Sequence, residues 1–232
     1  MIRIKPVTNE IYHVYNRGVD KRKIFLSDED HCRFIHDLFE FNDVAPAIKL
    51  NYYFKNQYSE VGSPNIKRKP RKMIVEIMAF CLMPNHFHLI LKQKEEDGIA
   101  DFMQKLGAGY TGYFNQKYER SGVLFQGKYK FIRLINEPHF VHLPNYIHLN
   151  PLSIENPDWK DKGFKNYKEA ISFLEKYRWS SFLDYIGKKN FPSVTQRDLL
   201  LNFFKGPENY KEETFKWLEQ TSSDEINDLI TF

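Results

Sequence analysis

Two histidines separated by a single residue stand in the apolar run MPNHFHLIL at residues 83–91. Alternate side chains of a β-strand point to opposite faces, so His86 and His88 would share one face while Phe87 and Leu89 would face a core. Two imidazoles on one surface form a chelating geometry for a divalent cation. The alternative is a surface or hydrogen-bonded pair, since a metal site needs a third ligand from elsewhere in the chain.

A second group of polar side chains lies in NEPHFVHLPNYIHLNP, residues 136–151. Tyr146 and Asn150 are four residues apart and therefore lie on one face of a helix. An asparagine oxygen can complete a two-histidine site, and a tyrosine beside the ion can attack phosphorus. Pro144 is expected to kink or restart this helix and Pro151 to end it. The alternative is that Tyr146 packs in the interior and Asn150 caps the helix.

Basic side chains that could hold phosphate groups occur in three places. One group follows the first predicted strand, one ends the irregular segment 44–72, and one lies on a predicted strand at 124–135. The candidate phosphate-binding residues are Arg17, Lys21, Arg22, Lys23, Lys67, Arg68, Lys69, Lys128, Lys130 and Arg133. The alternative for each group is a solvated loop.

The composition excludes some classes of protein and leaves others open. A net charge of +4 is only mildly basic and does not by itself indicate a nucleic-acid-binding protein. The 14 Tyr and 20 Phe indicate either stacking platforms or an aromatic core. Cys32 and Cys81 form no close-spaced motif, and no apolar run is long enough for secretion or membrane insertion. We therefore expect a cytoplasmic protein.

The predicted elements come in the order strand, helix, strand, strand, helix, strand. Strands are predicted at 10–16, 73–83, 83–91 and 124–135, and helices from Ser27 to near Asn42 and over 98–118. This order predicts an α+β fold with a ferredoxin-like split βαβ antiparallel sheet, helices on one face, and the other face open for a site.

The predicted elements also suggest how the chain divides into domains. Residues 1–152 are expected to form the catalytic domain, with a basic loop insertion at 44–72, and 153–232 a partly helical C-terminal extension. Two short helices are predicted after residue 188. This tail is expected to pack on the domain, and the alternative is an accessory DNA-binding unit.

Several segments resemble one known family. MPNHFHLIL is similar to the His-hydrophobic-His motif of the HUH endonucleases, and NYIHLNP is similar to the tyrosine helix of their single-tyrosine transposase branch. The chain most resembles the REP-associated tyrosine transposases. The supporting segments are YHVYNRGVDKRKIF, YFNQKYERSGVLFQGKYK and YRWSSFLDYIG.

The resemblance implies a function and a role for individual residues. His86 and His88 would bind the metal with Asn150 as third ligand, and Tyr146 would be the nucleophile. The expected activity is Mg²⁺- or Mn²⁺-dependent cleavage and joining of single-stranded or hairpin DNA through a 5′-phosphotyrosine, in a chain that could form a homodimer. The alternatives are a non-catalytic DNA-binding module on a transposase fold and a metal-dependent hydrolase that uses water.

Overall fold

The computed structural model describes residues 5–45, 71–135, 137–159 and 166–220. The predicted phosphate-binding residues Lys67, Arg68 and Lys69 and most of the predicted insertion lie outside these ranges. The strands are β1 (Ile11–Arg17), β2 (Val75–Met83), β3 (His86–Gln93) and β4 (Lys130–Arg133). The helices are α1 (Asp28–Glu40), α2 (Gly98–Lys117), α3 (Glu137–Leu149), α4 (Leu152–Glu155), α5 (Tyr167–Leu174), α6 (Phe182–Tyr185), α7 (Asp198–Phe203) and α8 (Pro207–Gln220).

Local sequence signals set the bounds of the first elements. The Ser27 side chain accepts from the backbone N–H of Asp30 and the Asp30 carboxylate accepts from that of Ser27, which is the predicted capping box at the start of α1. Pro84 and Asn85 form the turn that joins β2 to β3. β4 is shorter than the predicted strand because Gly127, with a positive φ of 67°, interrupts the extended chain before it.

The four strands form one antiparallel sheet in the order β2-β3-β1-β4. The predicted α+β fold with an antiparallel sheet is therefore confirmed. α1 and α2 pack together on one face of the sheet, where Phe87, Leu89 and Leu91 of β3 are buried with Phe34 of α1. The alternation predicted for β3 is thus observed, with its apolar side chains in this core.

The opposite face of the sheet differs from the expectation. The sequence predicted an open face, but α3 and the C-terminal helices cover much of it. Ile90 of β3 shares a second core with Ile147 of α3, Phe182 of α6 and Trp217 of α8. The reason is hydrophobic: both faces of β2 are apolar, and burying the second face requires another layer.

Residues 177–196 also cover the outer edge of β2. The backbone N–H of Leu82 donates to the Trp179 carbonyl at 2.9 Å, and the N–H of Ser181 donates to the Phe80 carbonyl at 3.0 Å. The backbone N–H of Ile77 donates to the side-chain oxygen of Gln196 at 2.9 Å, and the backbone N–H of Gln196 donates to the Ile77 carbonyl at 2.8 Å. An edge strand that is paired in this way is protected from pairing with another chain. The described part of the C-terminal extension therefore packs on the sheet, which was expected for the tail after residue 188. None of the helices in the described ranges has the length and hydropathy needed to cross a membrane.

Candidate active site

The register of β1 against β3 places polar side chains in rows on the face that α3 approaches. Tyr15 lies opposite His88, and Arg17 lies opposite His86. His13, two residues before Tyr15, shares their face. The rows lie at the end of the sheet where β2 turns into β3. The structure thus brings the two predicted histidine ligands together and adds three neighbours from β1.

The two predicted histidine ligands have different surroundings. Their ring centroids are 5.0 Å apart and the rings are nearly perpendicular. His86 is partly exposed, and its Nδ1 donates to the side-chain oxygen of Asn85 at 2.6 Å. His88 is 7% exposed, and its Nδ1 is hydrogen-bonded to Nε2 of His13 at 2.8 Å. In both rings Nδ1 therefore has a hydrogen-bond partner.

His13 is a site residue that the sequence reasoning missed. It is only 2% exposed, and burial lowers its pKa to about 3, so it is neutral at physiological pH. Its ring lies between those of Tyr15 and His88, with centroids 5.0 Å from each. The signal was present in the sequence, because strand alternation in IYHVYNR puts His13 and Tyr15 on one face as it does His86 and His88.

Tyr146, the predicted nucleophile, reaches this cluster from α3. Its ring meets that of His88 edge-on, with centroids 6.0 Å apart, and the residue is 3% exposed. The pKa of Tyr15 is raised, first by burial and then by the nearby Tyr146 side chain. Two tyrosine hydroxyls and two stacked imidazoles thus approach one another on this face of the sheet.

Asn150, the predicted third ligand, directly follows α3. It is buried, and its side-chain amide donates to the backbone carbonyl of Tyr146 at 3.1 Å. Pro144 was expected to kink or restart the helix, and α3 does not restart there: it runs from Glu137 to Leu149 with Pro144 inside it. Pro144 lies within the helix, where the missing N–H costs one hydrogen bond but the neighbouring turns and packing hold the helix together. His142, one turn before Tyr146, stacks on Trp217 of α8.

The C-terminal extension anchors α3 through buried polar contacts on both sides of Tyr146. Nδ1 of His148 is 2.5 Å from the Tyr210 hydroxyl, and its Nε2 is 2.7 Å from the hydroxyl of Ser181. The Thr214 hydroxyl donates to the side-chain oxygen of Asn145 at 2.9 Å. His148 and Asn145 therefore lock the rotation of α3 and fix the direction in which Tyr146 points.

The described basic residues divide into those near the site and those away from it. Lys21, Arg22 and Lys23 are exposed, and their loop is tied to the turn before His86 by a bond from the Asn85 side chain to the Lys21 carbonyl at 3.2 Å. Arg17 is exposed and bonds the Gln126 side chain.

The basic residues around β4 do not all face the site. Lys130 is exposed opposite Tyr15, and Lys128 is exposed just before β4. Arg133 lies opposite Tyr12 on the other face, where its guanidinium pairs with Glu10 at 2.6 Å. Arg133 is therefore poorly placed to meet a ligand at the histidines.

The side chains around His86 and His88 determine whether this face of the sheet can hold a divalent cation. In the described part of the chain, no group of three or more His, Cys, Asp or Glu side chains is placed to hold a metal ion. A site at His86 and His88 would therefore need a ligand of another type, and the side-chain oxygen of Asn150 is the one the sequence predicts. The Nδ1 partners of both rings are the outer-shell contacts that metal-binding histidines usually have. Two imidazoles and an amide oxygen suit Mn²⁺ and accept Mg²⁺.

Comparisons with known proteins match this chain to a family model and to several solved structures. A family model described as "Transposase IS200 like" matches residues 44–150, a range that includes His86, His88, Tyr146 and Asn150. Among solved structures, a REP-associated tyrosine transposase bound to a REP hairpin matches 86% of this chain and 92% of its own, with a TM-score of 0.50 and 13% identity. No curated protein matches the chain. Together the two matches confirm the resemblance that the motifs indicated: in sequence the chain is similar to the IS200-like transposases, and its fold is similar to that of a REP-associated tyrosine transposase.

Proposed function

We propose that this protein cleaves and rejoins single-stranded or hairpin DNA, with Tyr146 as the nucleophile and a divalent cation held by His86, His88 and Asn150. The observation that carries the proposal is the approach of the Tyr146 ring to within 6.0 Å of the His88 ring, centroid to centroid, beside the second histidine of the pair. A tyrosine whose ring contacts one imidazole of a histidine pair is placed to attack a phosphate held at that pair. The similarity to IS200-like transposases supports the same assignment.

The proposed reaction exchanges one phosphodiester for another. The Tyr146 oxygen attacks the scissile phosphorus, the bond from phosphorus to the 3′ oxygen breaks, and the 3′ oxygen leaves with a proton as a hydroxyl. The 5′ end of the DNA is then joined to the tyrosine. Attack by a new 3′-hydroxyl reverses the step and gives joining. A bound Mg²⁺ or Mn²⁺ would polarise the phosphate and offset the negative charge that develops there.

The residues of this chain prepare the nucleophile and its surroundings. The contacts of His148 and Asn145 hold α3 so that Tyr146 faces the β3 histidines. Tyr146 is buried, so little water reaches its side chain in the free protein. Arg17, Lys130 and the Lys21–Lys23 loop surround the same end of the sheet and supply positive charge for the phosphates of the DNA.

Hairpin DNA is the substrate form to test first. The solved structure that resembles this chain is of a transposase bound to a REP hairpin. The described cations near the site are too few to read a base sequence, but they can position a DNA backbone. The candidate partner is therefore DNA with a single-stranded segment that reaches Tyr146.

Tyr146→Phe is the decisive variant, because it removes one oxygen and keeps the buried ring. With Mn²⁺ and a panel of hairpin and linear single-stranded DNAs, the wild-type protein should form a protein–DNA adduct that survives a denaturing gel. Tyr146→Phe should bind the same DNA and form no adduct. Tyr113→Phe is the matched control: its hydroxyl bonds Asp30 on the far face of the sheet, so the adduct should persist. Metal-dependent cleavage that survives in Tyr146→Phe would favour the water-using hydrolase, and DNA binding with no cleavage by the wild type would favour the non-catalytic module.

A further inference from the structure

We propose that Tyr15 is a stacking platform for an unpaired base next to the phosphate that Tyr146 would attack, and that Lys130 binds the backbone of the same DNA strand. This inference rests on the proposed DNA-cleaving function. It adds a reason why the DNA would be single-stranded at the site. Tyr15 would neither bind the metal nor replace Tyr146 as the nucleophile.

Tyr15 lies where the covered part of this sheet face ends. His13, two residues earlier on the same face of β1, is 2% exposed, whereas Tyr15 is half-buried and Arg17, two residues later, is exposed. The Tyr15 ring stacks on that of His13, with centroids 5.0 Å apart and planes inclined by 29°. One side of the ring is therefore covered, and the other is directed along β1 toward Arg17, at the more open end of the sheet.

Tyr15 and Tyr146 contact the same imidazole. The ring centroid of Tyr15 is 5.9 Å from that of His88, and the two planes are inclined by 29°. The Tyr146 ring meets His88 edge-on, at 6.0 Å. A phosphate held beside His88 and Tyr146 would therefore have its flanking nucleotide within reach of Tyr15.

Exposed cations flank the Tyr15 ring on two sides. Lys130 of β4 lies directly opposite Tyr15 and is exposed, and Arg17 is exposed at the next position of the same face. In the part of the chain that the structure describes, no carboxylate pairs with Lys130, whereas Arg133 on the other face of β4 pairs with Glu10. An aromatic ring beside cations that can meet phosphates is the arrangement with which proteins bind single-stranded nucleic acids.

The energies favour a base that is already unpaired. A base in a duplex is stacked on both sides, so it can lie on a protein ring only after it has left the stack. Removing a base from a duplex costs a few kcal/mol. Stacking on one aromatic side chain returns about 1–3 kcal/mol. The platform at Tyr15 therefore selects single-stranded segments and does not open paired DNA unaided.

The first test measures how the full chain binds a hairpin with single-stranded oligothymidine tails in the absence of divalent metal. Omitting the metal keeps the proposed cleavage and the proposed metal site out of the measurement. A matched hairpin keeps every phosphate but carries abasic tails, so the difference between the two hairpins reports contacts to bases alone.

Tyr15→Val keeps a residue suited to a strand and removes the ring. It should weaken binding of the intact tails by about 5- to 150-fold, the loss expected for one base–aromatic stack. Binding of the abasic tails should not change. Tyr15→Phe keeps the ring and should bind both hairpins as the wild type does. Lys130→Ala is the control: it should weaken binding of both hairpins and lower the salt slope by about one.

Equal losses on intact and abasic tails in Tyr15→Val would overturn the platform. A loss in Tyr15→Phe as large as in Tyr15→Val would overturn it too, because the hydroxyl and not the ring would then carry the contact. If the wild-type chain binds no tailed hairpin, the proposed DNA function itself is wrong. If it binds intact and abasic tails equally well, only the inference about Tyr15 fails.

A second measurement needs no variant, so it holds even where Tyr15→Val does not fold. With 5-iodouracil in the tails, irradiation of the wild-type complex should link the DNA to Tyr15, and peptide mapping would locate the link. Links confined to other residues would contradict the proposal.

Discussion

His86 and His88 are predicted to share one function, but mutating them should have unequal effects on stability. His86 is partly exposed and bonds Asn85 in a turn, whereas His88 is buried and bonds His13. His86→Ala should therefore lower Mn²⁺ affinity and DNA cleavage with little change in the free energy of unfolding. His88→Ala should do the same and also destabilise the fold by about 1–3 kcal/mol, since it leaves the buried Nε2 of His13 without its partner.

Denaturant unfolding and Mn²⁺ titration of the two variants would check this prediction. Equal losses of stability would mean that the bond between His13 and His88 contributes nothing to the fold. Unchanged Mn²⁺ affinity in both variants would remove the metal assignment.

His31 gives a prediction for the pH dependence of the free energy of unfolding. Its ring lies between Phe25 and Trp179, at 4.6 and 4.4 Å, and burial lowers its pKa to about 4. A histidine with a lower pKa in the folded than in the unfolded state binds fewer protons when folded, so acid favours unfolding. Between pH 6.5 and pH 4 this residue should cost the protein up to about 3 kcal/mol of stability.

The control for this pH dependence is His31→Phe, which should be less sensitive to pH over the same interval. The free energy of unfolding, measured by denaturant at several pH values, would check it. An identical pH profile for wild type and variant would contradict the prediction.

Contacts between residues close in sequence could be predicted, and contacts between residues far apart in sequence could not. The capping box of Ser27 and Asp30 and the shared face of His86 and His88 depend on spacings of three and two residues, which the chain itself displays. The bond between His13 and His88 depends on strand pairing across 75 residues. Such a bond depends on register, which one sequence does not reveal.

Among the elements, the loop that carries Lys21, Arg22 and Lys23 is held unusually close to β1. A Cβ added to Gly18 would lie 2.3 Å from the backbone oxygen of Arg22, a distance that no structure tolerates. The backbone N–H of Gly18 also donates to the Asn85 carbonyl at 2.8 Å, in the turn before His86. The absence of a side chain at Gly18 thus lets the basic loop pack beside the histidine strand.

Gly18→Ala should displace this loop, weaken DNA binding, and reduce the dependence of binding on salt, because fewer cations would meet phosphates. Gly112→Ala is the matched control: no atom lies within 4 Å of its added Cβ, and the change should stabilise α2 by up to about 1 kcal/mol without altering DNA affinity. DNA titrations at several salt concentrations would check both variants. Unchanged affinity in Gly18→Ala would mean that the loop does not contact DNA.

The elements also show where periodicity succeeded and failed. Helical spacing placed α2 at Gly98–Lys117, close to the predicted 98–118, whereas α3 continues through Pro144, where a kink or a new start was expected. Proline removes one hydrogen bond, and the contacts of α3 with β2, β3 and α8 compensate for that loss. Tertiary packing of this kind has no signature in the local sequence.

For the whole molecule, the C-terminal extension and the sheet share one core through α3. The division at residue 152 stays a prediction, as do the cytoplasmic location, a homodimer and the choice of metal. Ser181, Tyr210 and Thr214 all bond residues within three positions of Tyr146. The extension therefore contributes to the geometry of the site although none of its described residues is a proposed ligand or nucleophile.

Tyr210→Phe tests this contribution. Removing the hydroxyl leaves Nδ1 of buried His148 without its partner and should destabilise the protein by about 1–3 kcal/mol. The adduct yield on hairpin DNA should fall as well, because α3 is less firmly placed. Tyr167→Phe, at the partly buried start of α5, keeps the ring that packs on the second core; it is the control and should change neither quantity. A full adduct yield from a destabilised Tyr210→Phe protein would show that the anchor serves folding alone.

Because the Asn150 side chain is hydrogen-bonded to the backbone of Tyr146, any displacement of this segment would move the proposed nucleophile and the proposed third ligand together. Metal binding and the position of Tyr146 would then be linked equilibria. The free energy by which metal binding favours one position of Tyr146 equals the free energy by which that position favours metal binding. A cation that needs Asn150 would stabilise the docked helix by an amount that grows with the logarithm of its concentration. If the proposed metal site is present, a higher metal concentration would thus raise the fraction of molecules in which Tyr146 is in place.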